Sequence, residues 1–232
     1  MITSIFSREV LYRLQRPLTW FVLLLMIYQG IVYSTATYDR IINEGVWLNA
    51  AAVAHINQAG IGFLLFIVIA IITGSALHRD LEHRTAALLY TCPVNEKRFF
   101  LERFAAAFAI NVLLGLGYIA GMLLMPWLPG SSGAPVGPAP LGQMAWNFAL
   151  FMLPNLFLLT ALSLALVVIF RQVTASYIGM AVLMVLLLLT EFVREHTPYL
   201  NLVLLLDPLG YGISMETVIA MGVAEKTPPI SR

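Results

Sequence analysis

Charge is what this 232-residue chain has least of. Only 11% of its residues are Asp, Glu, Lys or Arg, against roughly 25% in a soluble domain. It has one cysteine, Cys92, which excludes an internal disulfide and a thiolate zinc cluster. No His-Glu-x-x-His occurs, so no zinc-peptidase chemistry can be assigned, and no Gly-x-x-x-x-Gly-Lys-Ser/Thr, so the chain cannot hold ATP in a P-loop. No charged residue sits deep in a long apolar run, which argues against an ion-coupled carrier. A cleavable signal peptide is also missing. The first apolar run follows Arg8, Arg13 and Arg16 but is long and lacks a small-residue cleavage site, so it reads as a retained helix.

What is present is hydrocarbon. Hydrophobic residues make up 60% of the chain and the mean hydropathy is +0.86. So little polar surface cannot cover a globule of this size, and lipid must be the solvent. A membrane span needs roughly 20 apolar residues. Five runs qualify, at about 18–35, 56–77, 104–125, 146–170 and 173–190. Before them, Ile2, Phe6, Val10 and Leu14 fall four apart with Arg8 and Arg13 off their stripe, which predicts an interfacial helix over 1–16. After them, 199–206 is too short to span and is cut by Asp207-Pro208. The 191–232 segment is therefore expected to be extracytoplasmic or re-entrant.

Basic residues set the orientation. With the N-terminus in the cytoplasm, nine lie inside (Arg8, Arg13, Arg16, Arg79, Arg84, Lys97, Arg98, Arg103 and Arg171) and four outside (Arg40, Arg194, Lys226 and Arg232). Trp47, Trp127 and Trp146 fall at the borders of the spans, as an aromatic belt would. The outer stretch 126–143 is dense in proline and glycine and is expected to be an exposed loop without regular structure.

The segment 78–103 would be cytoplasmic and carries most of the charge. Leu81, Thr85, Leu88, Leu89 and Cys92 share one helical face, while Asp80, His83 and Arg84 fall on another. Pro93 breaks the helix, and Asn95 is placed to cap a second one running into the third span. An apolar stripe at the membrane surface calls for a cover, whether a partner protein, the membrane or the protein's own bundle. His78 and His83 are five apart, the wrong spacing for two metal ligands on one helix face.

Arg79-Asp80-Leu81-Glu82-His83 with Thr85, then Leu88-Leu89, Thr91, Pro93-Val94 and Arg103-Phe104, resembles the coupling-helix region of ABC-2 type permeases. Arg13-Leu14-Gln15-Arg16-Pro17 with Trp20 looks like the approach to their first span. Met125-Pro126-Trp127-Leu128, Leu153-Pro154-Asn155-Leu156, Tyr177-Ile178-Gly179, Leu206-Asp207-Pro208-Leu209-Gly210 and Val223-Ala224-Glu225-Lys226 are similar to one branch, the permeases fused to an M1-type aminopeptidase. Arg84 departs from the family's usual glycine, and the family's sixth span is missing.

The resemblance implies an all-α polytopic membrane bundle, an ABC-2 or type V exporter-like transmembrane domain over 1–232 with an interfacial helix and a cytoplasmic coupling helix. It implies a multi-pass permease subunit of the bacterial cytoplasmic (inner) membrane, not itself an enzyme. A separate ATPase subunit would hold ATP and Mg and would touch Asp80, Leu81, Glu82, Arg84, Thr85, Leu88 and Leu89. A second permease copy or half would complete the exporter. The chain would carry no cofactor, metal or nucleic acid of its own. The alternative is the membrane anchor of a larger peptidase or other enzyme. Within the spans, Asn111, Asn155 and Thr160 are the candidates for a substrate pathway or for bonds between helices.

Overall fold

In the computed structural model the described residues are 3–41, 47, 50–82, 96–128, 136–196, 207, 209, 212 and 214. Among them the regular structure is entirely helical. The helices are α1 (Thr3–Leu14), α2 (Pro17–Ile41), α3 (Ala51–Gly60), α4 (Gly62–Glu82), α5 (Glu96–Leu124), α6 (Leu141–Asn147), α7 (Leu153–Phe170) and α8 (Val173–His196). Four stretches are long and apolar enough to cross a membrane: Pro17–Ala36, Lys97–Trp127, Leu141–Phe170 and Val173–Thr190. The pair α3 and α4 makes a fifth if taken as one broken span.

Three local features of the helices depart from the sequence expectations. The second apolar run, expected to be continuous over 56–77, breaks at Ile61. Gly60 and Gly62 flank the break, and each weakens a helix by about 1 kcal/mol relative to alanine. One turn earlier the Asn57 carbonyl accepts both the Tyr118 hydroxyl at 3.0 Å and the Ile61 N–H at 3.2 Å, so the last ladder bond of α3 is kept. The stretch 126–143 is not irregular throughout. A 3-10 turn covers Met125–Trp127, and α6 begins at Leu141. Between α6 and α7 the helix widens into a π turn at Phe148–Met152. It sits just ahead of Pro154, whose missing N–H and bulky ring disturb the preceding turn.

The third departure concerns α1. Its buried positions are Glu9 and Arg13, while Leu11 is exposed. Arg13, expected to face away from the core, is 94% buried and donates to the Ile72 carbonyl at 2.8 Å. The turn from α1 to α2 explains the sequence around it. Pro17 opens α2, where its missing N–H costs nothing. The Thr19 hydroxyl and the Trp20 indole donate to the carbonyls of Arg13 and Leu14, at 2.7 and 2.6 Å, and so help to satisfy the end of α1, where the Arg13 carbonyl also takes the Arg16 N–H at 3.1 Å.

The chain divides into two compact units that draw on different parts of the same helices. The first comprises 1–22, 63–114 and 155–186, and the second 23–62, 115–154 and 187–232. In the first unit Phe104, Phe108 and Phe157 form an aromatic cluster, with edge-on contacts at 5.2 and 5.7 Å between ring centres. In the second, α2 and α5 approach backbone to backbone. A Cβ on Gly30 would collide with the Tyr118 carbonyl, and one on Gly121 with the Ile27 carbonyl. The Gly117-x-x-x-Gly121 pattern therefore serves contact within this bundle.

Candidate functional site: a polar joint at residues 72–73

In the first unit three helices meet at one buried amide. The Asn111 side-chain nitrogen, on α5, donates to the Thr73 hydroxyl of α4 at 3.0 Å and to the Thr160 hydroxyl of α7 at 2.9 Å. Thr160 in turn donates to the Leu156 carbonyl, one turn back, at 2.6 Å. All three residues are at most 1% exposed. In hydrocarbon such groups must find partners among themselves, so they fix the lateral position of the helices that carry them.

One residue before Thr73, the Ile72 carbonyl receives the Arg13 guanidinium of α1. Residues 72–73 of α4 thus receive α1 and α5 directly, and α7 is tied to them through Asn111. Immediately after Thr73, Gly74 lets α8 approach α4. A Cβ there would lie 3.1 Å from Val173 and 3.6 Å from the Ser176 hydroxyl. Ser176 is hydrogen-bonded to Ser163 of α7 at 2.7 Å. Buried charge continues along α5, where Glu102 and Arg103 are both more than 90% buried and Glu102 pairs with Arg98 at 3.1 Å.

Of the three polar residues expected within spans, the structure brings Asn111 and Thr160 together and leaves Asn155 half-buried outside this group. The geometry of Asn111 and Thr160 is that of bonds between helices, since neither faces an opening. Thr73 and Arg13 complete the joint and were not singled out from the sequence. A lone threonine ahead of a glycine, in an otherwise apolar run, was the only available signal for Thr73. Among the expected contacts with an ATPase, Asp80, Leu81 and Glu82 lie on the last turn of the α4 backbone. Arg84, Thr85, Leu88 and Leu89 lie outside the described residues, as does His83.

The second unit has its own polar group. Asn57 donates to the Ser34 hydroxyl at 3.0 Å, Ser34 donates to the Gly30 carbonyl at 2.8 Å, and Gln58 donates to the Met144 carbonyl at 3.3 Å. The amide oxygens of Asn57 and Gln58 are buried and find no donor among the described residues. His55 stands edge-on to Phe151 of the π turn, 5.1 Å between ring centres. Toward the C-terminus the Asp207 carboxylate accepts the backbone N–H groups of Leu209 and Gly212, at 3.3 and 2.6 Å. One carboxylate thus satisfies two backbone donors that follow it in the chain.

Long apolar helices joined by buried polar bonds define a multi-pass helical membrane domain. The chain matches the model of the family described as ABC-2 type transporter over residues 2–220. It belongs to that family, and is the permease component of an ABC transporter. No curated protein and no solved structure matches it.

Proposed function

We propose that this permease drives export by taking up the ATP-dependent motion of a separate ATPase subunit through the end of α4. The observation that carries the reading is the continuity of α4 from Gly62 to Glu82, with α1 and α5 attached at Ile72 and Thr73 and α7 tied in through Asn111. From Thr73 to Glu82 is nine residues, about 14 Å of helix. A load applied at 80–82 reaches the joint along a single helix and passes there to three others.

In this reading the ATPase grips Asp80, Leu81, Glu82, Arg84, Thr85, Leu88 and Leu89, with the leucines buried and the charged residues around them. The ATPase holds ATP and Mg. The N-terminus and the 78–103 segment lie in the cytoplasm and the membrane is the bacterial inner membrane. A second permease copy or half completes the pathway. The ordered motifs quoted above favour the branch whose members are fused to an M1-type aminopeptidase.

The test separates grip from transmission. Leu88→Asp should weaken retention of the ATPase in a pull-down by at least about tenfold, because it buries an unpaired charge at the contact. Glu82→Ala, at the rim, should leave assembly intact and alter the hydrolysis rate. Asn111→Leu should retain the ATPase fully but lose export per ATP hydrolysed. Wild-type binding and hydrolysis by Leu88→Asp would overturn the assignment of the grip.

A further inference from the structure

The second unit holds a cavity of about 230 Å³ that the ATP-coupling reading does not use. It lies against the outer end of α5, where Met122, Leu123 and Met125 form one wall and Met144 of α6 another. Residues 136–140 close it from above. That closing segment, expected to have little content, is fixed from its far side. The Trp47 ring lies so close to Gly137 that no Cβ fits between them. Trp127, at the rim, is 86% exposed.

We infer that this cavity binds one acyl chain of a membrane phospholipid, drawn in at the level of the aromatic belt. Three properties of the lining point to hydrocarbon. First, among the described lining residues the only side-chain hydroxyl is that of Ser34, whose proton goes to the Gly30 carbonyl and which already accepts a bond from Asn57. The other side-chain donor among them, the Trp127 indole, stands exposed at the rim, so these residues offer a head group drawn inside little to bond, and burying it so is costly. Second, three methionines supply unbranched thioether side chains that adapt to a flexible chain better than leucine or isoleucine would. Third, the size fits. A cavity of about 150 Å³ accommodates the six carbons of benzene, so by proportion this one takes roughly eight or nine carbons. That is part of an acyl chain, and the remainder and the head group would stay outside.

The opening is positioned to receive such a chain. Residues 97–127 form a membrane-length helix, and the cavity lies at its final turns, beside the exposed Trp127. Indole rings settle at the boundary between head groups and hydrocarbon, so the rim stands where acyl chains begin. The binding is independent of ATP coupling, and its test needs no ATPase.

The experiment uses the full chain in phosphatidylcholine nanodiscs containing a trace of a phospholipid with a photoreactive diazirine in one acyl chain. After irradiation, adducts are mapped by peptide mass spectrometry. Adducts at Met122, Met125 and Met144 are expressed relative to those at Ile178 and Val182, which are exposed on α8 and report ordinary lipid contact. We expect a cavity-to-reference ratio of at least about five. Ala54→Leu, which fills the cavity from α3, should bring it down to about one. Met144→Phe is the second filling variant, should the first fail to fold, and the α8 adducts in the same sample report on a folded protein. A ratio near one in the wild type, or one unchanged in a folded filling variant, would overturn the assignment. So would labelling of the cavity by a head-group diazirine in preference to the acyl-chain probe.

Discussion

The two units share one way of holding their helices together and differ in another. In both, side chains reach across: in the first Arg13 to a carbonyl of α4, Asn111 to two threonines at once and Ser163 to Ser176, in the second Asn57 to Ser34, Tyr118 to the Asn57 carbonyl and Gln58 to the Met144 carbonyl. In the second, α2 and α5 also touch backbone to backbone through Gly30 and Gly121. Beside that seam is a cavity. A joint made of directional bonds has one good geometry and transmits displacement. A seam made of glycine contacts resists compression but leaves its surroundings free to adapt. The first unit is therefore suited to carrying force from α4, and the second to accommodating something of variable shape.

The contrast is broken most severely at Gly121. A side chain there meets the backbone of Ile27, which cannot rotate away as a side-chain terminus could. Overpacking in a dense interior typically costs 1–3 kcal/mol, and rigid backbone puts this case at the top of that range. Gly121→Leu should cost about 3 kcal/mol or more and leave little monodisperse protein after extraction in detergent. Gly117→Ala is the control. Its new methyl meets only Leu23 Cδ1, the movable end of a side chain, so the loss should stay below about 1 kcal/mol. Equal melting temperatures for the two variants would remove the backbone seam from the comparison.

Asn111→Leu makes the matching change in the first unit and should act differently. Hydrogen bonds between membrane helices contribute on average about 0.6 kcal/mol and at most about 1.7. Losing two of them should therefore cost about 1–2 kcal/mol, read as a lower unfolding midpoint in mixed micelles. Thr160→Val removes one of these two, together with its own bond to the Leu156 carbonyl within α7, and should cost somewhat less than Asn111→Leu. The double variant should fall short of the sum, since the two residues share a bond. Strict additivity would show that they do not act as one joint.

What the sequence conveyed of this arrangement depended on scale. Long apolar runs need no partner to be recognised, so the membrane-crossing helices were legible from hydropathy. The break at Ile61 was not, because Gly60-Ile61-Gly62 is as apolar as its surroundings and glycines in an apolar run weaken a helix without fixing where it ends. Asn111 and Thr160 were visible as polar residues in apolar runs, but Thr73, the second acceptor of the Asn111 amide, is fixed only by packing. Arg13 was misplaced for a similar reason. Periodicity on a twelve-residue helix reports an apolar stripe, and it cannot show that a carbonyl waits opposite an arginine. The proline-rich stretch hid its role because irregular backbone has no period, and Gly137 became informative only with Trp47 lying on it.

The smallest effect expected is a gain, and it lies in the first unit. Arg171 and Gln172 alone connect α7 to α8, and Arg171 has φ of 54°. In this left-handed region Cβ crowds the following carbonyl, at roughly 1–2 kcal/mol for a residue other than glycine. Glycine would remove that strain but has more freedom to lose from the unfolded chain. Arg171→Gly should therefore stabilise by only about 0.5–1 kcal/mol, while Arg171→Val, branched at Cβ, should destabilise by about as much or more. Arg171 is exposed, so loss of packing cannot explain either shift. Arg171→Asn separates strain from flexibility, since asparagine tolerates the left-handed region without glycine's extra freedom. It should fall between glycine and arginine in unfolding midpoint. If all three variants melt with the wild type, the link is not strained enough to influence the packing of α7 on α8, and the Ser163–Ser176 bond alone sets their register.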